Sequence, residues 1–393
     1  MTRTVFESGM GGSPMSYCNR KTRASRPCYV MKLFVTGANG FLGRYVVAEA
    51  LRRGHAVTAI VRSGETSGVG WAGHPNLKIA RVDLRSRRGL ADAVAGHDAV
   101  LHLAAAKSGD MYAQYAGTVV ATENLLAAMD EAGVRRIVAI SSFAVYDYLR
   151  MALFSVLTED SPLEKDAFQR DEYAHTKLVQ ERLVREHALR SGWAFTILRP
   201  GVIYGKDNLW TARLGIQGSR VWIRTGAWAK LPLTYVENCA EAIVLAAETE
   251  AANGQTLNVV DDNPPTQRRY ANLLRKRMSP RPTIIPVAYS VMRGLAGLAV
   301  LTNKLLLGNR AKIPGIFIPA RFEARCKPLR FTNQKIKSVL NWRPRYSLRE
   351  SLDRSFGLSS AEMTKVEGVR PTTAAISATA LHNPTATKSE VAA

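Results

Sequence analysis

The sequence has few acidic residues and few cysteines. Its 32 Asp and Glu residues are outnumbered by 54 Lys and Arg residues, which gives a formal net charge of +22. Such a charge bears on partners and solubility and does not determine the fold. The four cysteines (Cys18, Cys28, Cys239 and Cys326) form no CxxC pair and no other spacing typical of a metal site. We therefore expect free thiols in a reducing compartment and no bound metal.

Long apolar runs are also missing. The longest uninterrupted one, 294–302, has nine residues, whereas about 20 are needed to span a membrane. Residues 1–30 are basic and polar and lack the apolar segment of a signal peptide. We predict a cytoplasmic protein, with 1–30 as a disordered basic extension and 358–393, short of large apolar residues, as a disordered tail.

Between these termini, apolar strand-like runs alternate with helix-like stretches. Strands are predicted at Lys32–Thr36, Ala56–Val61, Leu77–Val82, Ala99–Leu103, Arg136–Ser141 and Phe195–Leu198, and helices at Gly40–Arg53, Thr118–Ala132 and Tyr173–Ser191. Nearly continuous apolar strands separated by helices indicate a parallel sheet covered on both faces. We predict a Rossmann-type, doubly wound α/β domain over 31–205, to which 234–262 returns. A smaller substrate-binding lobe is predicted over 206–357.

A glycine-rich turn lies between the first strand and the first helix. Gly37, Gly40 and Gly43 follow one another at intervals of three. In such a turn the first glycine permits the sharp bend, the second lets the backbone approach a pyrophosphate, and the third allows close helix–strand packing. The helix start offers free N–H groups and a positive dipole end to the phosphates. The turn therefore predicts a dinucleotide site, which also includes Asn39, Phe41 and Leu42.

The ends of the second and third strands are expected to select the cofactor. An acid after the second strand binds the ribose hydroxyls, whereas a basic residue accepts a 2′-phosphate. Val61 stands at the acidic position and Arg62 follows it, so we favour NADP(H) over NAD(H). Asp83, followed by Leu84, is expected to accept a hydrogen bond from the adenine amine; capping of the next helix is the alternative.

Tyr173 and Lys177 are four residues apart on a predicted helix, so their side chains share a face. A phenol has a pKa of about 10, so it is protonated at neutral pH and cannot accept a proton there. A nearby ammonium and the positive nicotinamide ring would lower that pKa, so that Tyr173 could exchange a proton with the substrate during hydride transfer. Ser142, after the fifth strand, is expected to bind the substrate oxygen, with Ser141 as the alternative.

In their order along the chain, these segments resemble the extended short-chain dehydrogenase/reductase family, also called the NAD-dependent epimerase/dehydratase family. The resemblance also rests on 101–105, 158–163, 198–205, 235–242 and 340–344. It implies that Lys177 binds the nicotinamide ribose as well. Further cofactor contacts implied by the resemblance are Leu103, Ala104, Ala105, Pro200 and Val202. The family often has Asn before a Val-x-Gly-Thr stretch on the fourth helix. Here 118–122 reads TVVAT, which departs from the pattern at the residue on which a proton relay would depend.

The carboxyl-terminal part combines an apolar segment with a basic one. Residues 284–308 are strongly apolar, and 303–349 contain twelve Lys or Arg residues and one acid, Glu323. This part, 284–349, either rests on an anionic membrane surface or forms a buried helix with a solvated basic face. No nucleic-acid motif accompanies the charge, so nucleic-acid binding is not expected.

The substrate stays open between two classes of small molecule. The protein oxidises or reduces a secondary hydroxyl or ketone on a hydrophobic compound, or it is a nucleotide-sugar epimerase or dehydratase in which Arg213, Arg220 or Arg224 holds a diphosphate. A third hypothesis is a non-catalytic NAD(P)-sensing regulator. The presence of Tyr173 and Lys177 argues against it, because a sensor needs neither. The sequence also leaves a homodimer open.

Overall fold

The computed structural model describes residues 30–62, 71, 73–165, 170–306, 308, 310 and 313–357. The predicted disordered termini lie outside these residues, apart from Val30. In chain order the strands are β1 Lys32–Thr36, β2 Ala56–Val61, β3 Leu77–Arg81, β4 Ala99–His102, β5 Arg136–Ile140, β6 Val156–Leu157, β7 Ala194–Pro200, β8 Val202–Tyr204, β9 Ile216–Gln217, β10 Val221–Thr225, β11 Leu233–Tyr235, β12 Gln255–Val259, β13 Thr283–Val287 and β14 Arg330–Phe331.

The α-helices follow the strands in alternation as far as β7 and dominate after β12. They are α1 Phe41–Arg52, α2 Leu90–Val94, α3 Met111–Tyr115, α4 Ala121–Ala132, α5 Glu172–Ser191, α6 Val236–Glu248, α7 Gln267–Arg277, α8 Tyr289–Leu306, α9 Pro319–Cys326, α10 Gln334–Leu340 and α11 Leu348–Ser355. Among the described residues, no helix is both long and apolar enough to cross a membrane.

Seven parallel strands form the central sheet, in the order β12-β7-β5-β4-β1-β2-β3. The chain builds outward from β1 through β3, returns to the other side of β1 with β4, and builds outward again. This is the doubly wound arrangement that the alternating pattern predicted. Ligands in such sheets bind where the strand order reverses, at the carboxyl ends of the strands. The reversal here lies between β1 and β4.

Separate apolar clusters cover the two faces of the sheet. The residues of α1 and α6 form one cluster with one face of the central strands. The residues of α2, α4 and α5 form the other cluster on the opposite face. Because both faces are covered, the residues of β1 and β4 are buried except for Lys32.

The predicted element boundaries hold to within a few residues, with one difference in kind. The helix expected over Thr118–Ala132 begins as a π-helical turn, Ala116–Val120, before α4 continues it.

After α7, β13 pairs in parallel with β10, and β10 pairs antiparallel with β9. These three strands form a small sheet separate from the central one.

Candidate active site

A cavity of 1180 Å³ lies over the carboxyl ends of the central strands. Except for Val202, every residue predicted from the sequence for catalysis or cofactor binding lines it. These residues are Gly37, Asn39, Gly40, Phe41, Leu42, Gly43, Arg62, Asp83, Leu84, Leu103, Ala104, Ala105, Ser142, Tyr173, Lys177 and Pro200. Val202 lines a smaller neighbouring cavity instead.

The glycine turn is packed too closely for side chains at two of its three glycines. Gly37 has a φ of +67°, and a Cβ there would lie 2.9 Å from the backbone nitrogen of Ala104. A Cβ on Gly43 would lie 2.1 Å from the carbonyl oxygen of Gly37. Gly40 donates a backbone hydrogen bond to that same oxygen over 3.0 Å. The three glycines line the larger cavity at the start of α1 with backbone alone, which fits a pyrophosphate.

A buried polar chain begins behind this turn. The Thr36 hydroxyl accepts hydrogen bonds from the backbone nitrogens of Leu103 and Ala104, both at 3.2 Å. It lies 2.8 Å from Nδ1 of His102, whose Nε2 lies 2.9 Å from the Thr122 hydroxyl. The Thr122 hydroxyl donates its proton to the backbone oxygen of Thr118. His102 therefore donates from Nε2 and accepts at Nδ1.

The imidazole at the centre of this chain is neutral. Burial, with a contribution from the charge of Lys177, lowers the pKa of His102 to about 3. His102 consequently acts as a fixed hydrogen-bonding link between β4 and α4.

Gln180 connects the same chain to the predicted catalytic lysine. Its amide nitrogen donates to the Thr122 hydroxyl over 3.1 Å, and its amide oxygen accepts from Lys177 Nζ over 2.7 Å. Lys177 Nζ also donates to the backbone oxygen of Ile140 over 2.7 Å. Gln180 was not singled out from the sequence. Its position three residues after Lys177, on the same helix face, is the signal that could have found it.

The phenol of Tyr173 has a raised pKa. Burial raises it to about 12, and a hydrogen bond with the Ser142 hydroxyl opposes that shift. Burial, followed by the charge of Lys107, lowers the pKa of Lys177 to about 7. The protein side chains alone thus do not produce the lowered phenol pKa that we expected. The sequence-based expectation includes a second cause of a lowered Tyr173 pKa, which is the positive charge of the nicotinamide ring.

Ser142 and Ser141 differ in their surroundings. The Ser142 oxygen accepts a hydrogen bond from the backbone nitrogen of Ala144 over 3.1 Å, and Ser142 lines both cavities. Ser141 is buried, and its hydroxyl has no hydrogen-bond partner among the described residues. The contact with Tyr173 favours Ser142 as the residue nearest the reacting groups.

At the other end of the cavity, Arg62 and Asp83 lie near each other. Arg85 donates from Nη2 to the Asp83 carboxylate over 2.6 Å and from Nε over 3.0 Å. These hydrogen bonds, together with the charges of Arg85 and Arg62, lower the pKa of Asp83. The Asp83 carboxylate is therefore ionised and available as an acceptor, although it shares its oxygens with Arg85.

Residues 33–259 match the model of the NAD dependent epimerase/dehydratase family. The chain belongs to this family. It is 29% identical to a 4-hydroxy-2-methyl-3-oxo-4-farnesyl-3,4-dihydroquinoline-1-oxide ketoreductase from Stigmatella aurantiaca, over 82% of this chain and 95% of that one. It is also 29% identical to a 3-beta-hydroxysteroid dehydrogenase from Mycolicibacterium neoaurum, over 61% of this chain and 68% of the relative.

The fold is shared with solved structures of lower identity. MoeE5 in complex with UDP-glucuronic acid and NAD superimposes with a TM-score of 0.61 at 22% identity, over 83% of this chain and 98% of that one. Membership confirms the predicted fold class and the prediction of an enzyme that depends on a nicotinamide dinucleotide. The relatives named above act on small molecules. The oxidoreductase interpretation is confirmed at the level of the family.

Proposed function

We propose that the protein transfers a hydride between NADP(H) and a secondary hydroxyl or ketone of a hydrophobic substrate, with Tyr173 as the acid and base. One observation carries this proposal: Ser142, Tyr173 and Lys177 line the same cavity as the glycine turn, and the phenol hydrogen-bonds to Ser142. A nicotinamide dinucleotide, when bound, supplies the hydride or accepts it.

The residues of the chain divide the remaining work. The glycine turn and the start of α1 hold the pyrophosphate through backbone N–H groups. Ser142 donates a hydrogen bond to the substrate oxygen, and Tyr173 gives a proton to that oxygen in reduction or removes one in oxidation. Lys177, fixed by Ile140 and Gln180, binds the nicotinamide ribose and lowers the cost of a phenolate when it is charged.

The hydrophobic substrate is favoured by the two relatives, whose names describe a farnesylated ring ketone and a steroid alcohol. The nucleotide-sugar alternative draws on MoeE5, which is similar in fold at 22% identity. Of the arginines considered for a diphosphate, Arg213 lines the smaller cavity. Arg220 is exposed, Arg224 is buried, and neither lines a described cavity.

Replacing Tyr173 by Phe tests the catalytic assignment. We expect turnover with a panel of hydroxysteroids, ketones and UDP-sugars to fall by at least about 100-fold, because proton transfer contributes a factor of about 10²–10⁴. Cofactor affinity, measured by fluorescence titration, should stay within about twofold. Tyr112→Phe is the control, since Tyr112 is 85% exposed and lies outside both cavities. Turnover that survives in the Tyr173 variant contradicts the assignment.

The preference for NADP(H) rests on Arg62, which lines the cavity at the end of β2. Arg62→Gln should weaken NADPH binding about tenfold, as expected for the loss of a charged hydrogen bond to a phosphate. NADH binding should hardly change. Tighter binding of NADH than of NADPH by the unchanged protein contradicts the preference.

A peripheral contact with an anionic membrane is part of this proposal, and helix α8 supports it. Its exposed apolar residues lie on one face and are 46–79% exposed; the first five recur three or four positions apart, and the sixth directly follows the fifth: Val291, Leu295, Leu298, Leu301, Leu305 and Leu306. Arg293 and Lys304 on the same helix are exposed as well. The exposure of this apolar face favours the membrane contact over the alternative of a buried helix with a solvated basic face, although Met292 and Ala296 on the opposite side of α8 are buried. Exposed apolar residues together with cations favour an anionic lipid surface.

Flotation with vesicles measures this contact. Phosphatidylcholine vesicles containing phosphatidylglycerol should bind the protein in a salt-sensitive way, and the double change Leu298→Asp and Leu305→Asp should abolish binding. Leu189→Asp, at a residue 69% exposed on α5, should leave it unchanged. Equal flotation of both variants refutes the contact.

A further inference from the structure

A second cavity, of 220 Å³, adjoins the catalytic residues. It shares Ser142, Asp171 and Gly201 with the larger cavity. Because Ser142 is the proposed contact of the substrate oxygen, a group bound in the smaller cavity lies only a few bonds from the reacting carbon. Its volume is below the about 300–1,000 Å³ of ordinary ligand pockets, so it suits a small substituent.

This smaller cavity, which we call the arginine pocket, is strongly cationic. It is lined by four arginines: Arg170, Arg213, Arg321 and Arg325. Among the described residues that line it, Asp171 is the only acid. One oxygen of that carboxylate already caps α5, since it accepts from the backbone nitrogen of Ala174 over 2.7 Å. Like charges in a partly buried space repel one another with little screening.

Neutral neighbours hold the arginines in place. Nη2 of Arg213 donates to the Tyr148 hydroxyl over 2.9 Å. The guanidiniums of Arg213 and Arg170 lie 5.2 and 5.1 Å from the centroid of the Tyr148 ring. Arg321 and Arg325 lie four residues apart on α9 and so share a face, and Arg321 also donates to the backbone oxygen of Arg170. The donors are therefore positioned in advance. Among the described residues, Arg170 is the one arginine of the four that lies within 4.0 Å of carboxylates, those of Glu164 and Asp171.

The deficit of negative charge shows at individual atoms. Nε of Arg170 is buried without a hydrogen-bond partner among the described residues, and the nearest oxygen of Asp171 is 3.8 Å from it. No ion pair among those residues involves Arg213 or Arg325. Burial lowers the pKa of Arg170 and Arg325, and the charge of Arg213 adds to that lowering in both. An anion in the pocket would relieve this repulsion.

We propose that the arginine pocket binds an anionic group of the substrate, a carboxylate or a phosphate attached close to the reacting carbon. Guanidinium groups present paired donors that match both anions. The inference rests on the proposed function, because it takes Ser142 as the contact of the substrate oxygen. It narrows the substrate class to an anionic hydroxy or oxo compound.

Binding of a matched pair of probes tests the pocket without requiring turnover. 3-Hydroxydecanoate and its methyl ester differ in charge, and calorimetry in the presence of NADPH, which cannot oxidise either, measures their affinities. We expect the acid to bind at least about tenfold tighter than the ester, as expected for a charged hydrogen bond. Arg325→Gln should bring the ratio close to one, and Arg325→Lys should retain part of it. Arg281→Gln, at an exposed residue outside both cavities, should keep the full ratio.

UDP-glucose is the phosphate probe in the same assay. The pocket is assigned to a phosphate if Arg325→Gln weakens the binding of UDP-glucose about tenfold while the unchanged protein binds 3-hydroxydecanoate no better than its methyl ester. The proposal is overturned if neither probe binds, or if binding is insensitive to Arg325. A different result would contradict the proposed function and leave the pocket assignment intact. In that case the acid binds through Arg325, but no hydroxy or oxo acid is turned over with either cofactor.

Discussion

Gly43 lies in the first turn of α1, and replacing it by alanine is the sharpest test of the nucleotide site. The added Cβ would lie 2.1 Å from the carbonyl oxygen of Gly37 and 2.8 Å from Cα of Ala38. All of these are backbone atoms, so no side-chain rotation can relieve the contact. The turn must move away from the helix by about 1 Å to restore ordinary packing distances.

Two consequences of that movement can be estimated. Forced overpacking of a buried position costs about 1–3 kcal/mol of folding stability. A hydrogen bond from the backbone to a charged phosphate is worth about 1.5–3 kcal/mol and weakens steeply when its geometry is displaced. Loss of one such bond corresponds to an approximately 10–100-fold weaker affinity. We therefore expect Gly43→Ala to lower both the stability and the affinity for NADPH.

Urea unfolding and fluorescence titration with NADPH measure the two effects separately. Gly297→Ala is the matched control, because Gly297 is also helical and a Cβ there meets no atom within 4 Å. The control should gain about 0.5–1 kcal/mol from helix propensity and bind the cofactor normally. A Gly43 variant with unchanged stability and unchanged affinity refutes the role of this turn.

Two further predictions concern buried ion pairs. The Glu181 carboxylate accepts hydrogen bonds from Nη2 and Nε of buried Arg199 over 2.7 and 2.9 Å. Glu181→Gln should lower the free energy of unfolding in urea by about 3 kcal/mol, because it leaves that guanidinium without its carboxylate partner. A loss below about 1 kcal/mol contradicts this. Burial opposes ionisation of Glu248, but hydrogen bonds from Arg53 and His55 lower its pKa to about 2. Because that pKa lies below the ordinary 4.5, the pair stabilises the fold above pH 4.5, and about 2 kcal/mol is lost as the pH falls towards 2. Glu248→Gln should remove this acid dependence, and an unchanged stability profile between pH 5 and 2 counts against it.

Local patterns in the sequence predicted the central sheet and just under half of the residues that line the larger cavity. The glycine turn, the end of β3 and the Tyr173–Lys177 pair each carry their signal within a few neighbouring residues. The order of the strands then brings these segments to one edge of the sheet. Chain order therefore sufficed to place them, because parallel strands point their carboxyl ends in one direction.

The arginine pocket had no such local signal. Arg170 and Arg325 are more than 150 residues apart in the sequence and come together only through the packing of α9 near the start of α5. The exposure of α8 was equally inaccessible. Its apolar spacing is the same for a face packed on protein and for a face turned outwards, so only the neighbours in space decide between the two.

The polar chain from Thr36 to Lys177 has a consequence for the enzyme as a whole. It runs from the strand that precedes the glycine turn to the amine beside the phenol, through His102, Thr122 and Gln180. The segments that we propose to receive the phosphates and the nicotinamide are thus linked by one continuous chain of buried hydrogen bonds. If the proposed function is correct, we expect a displaced pyrophosphate to disturb the position of the Lys177 amine as well.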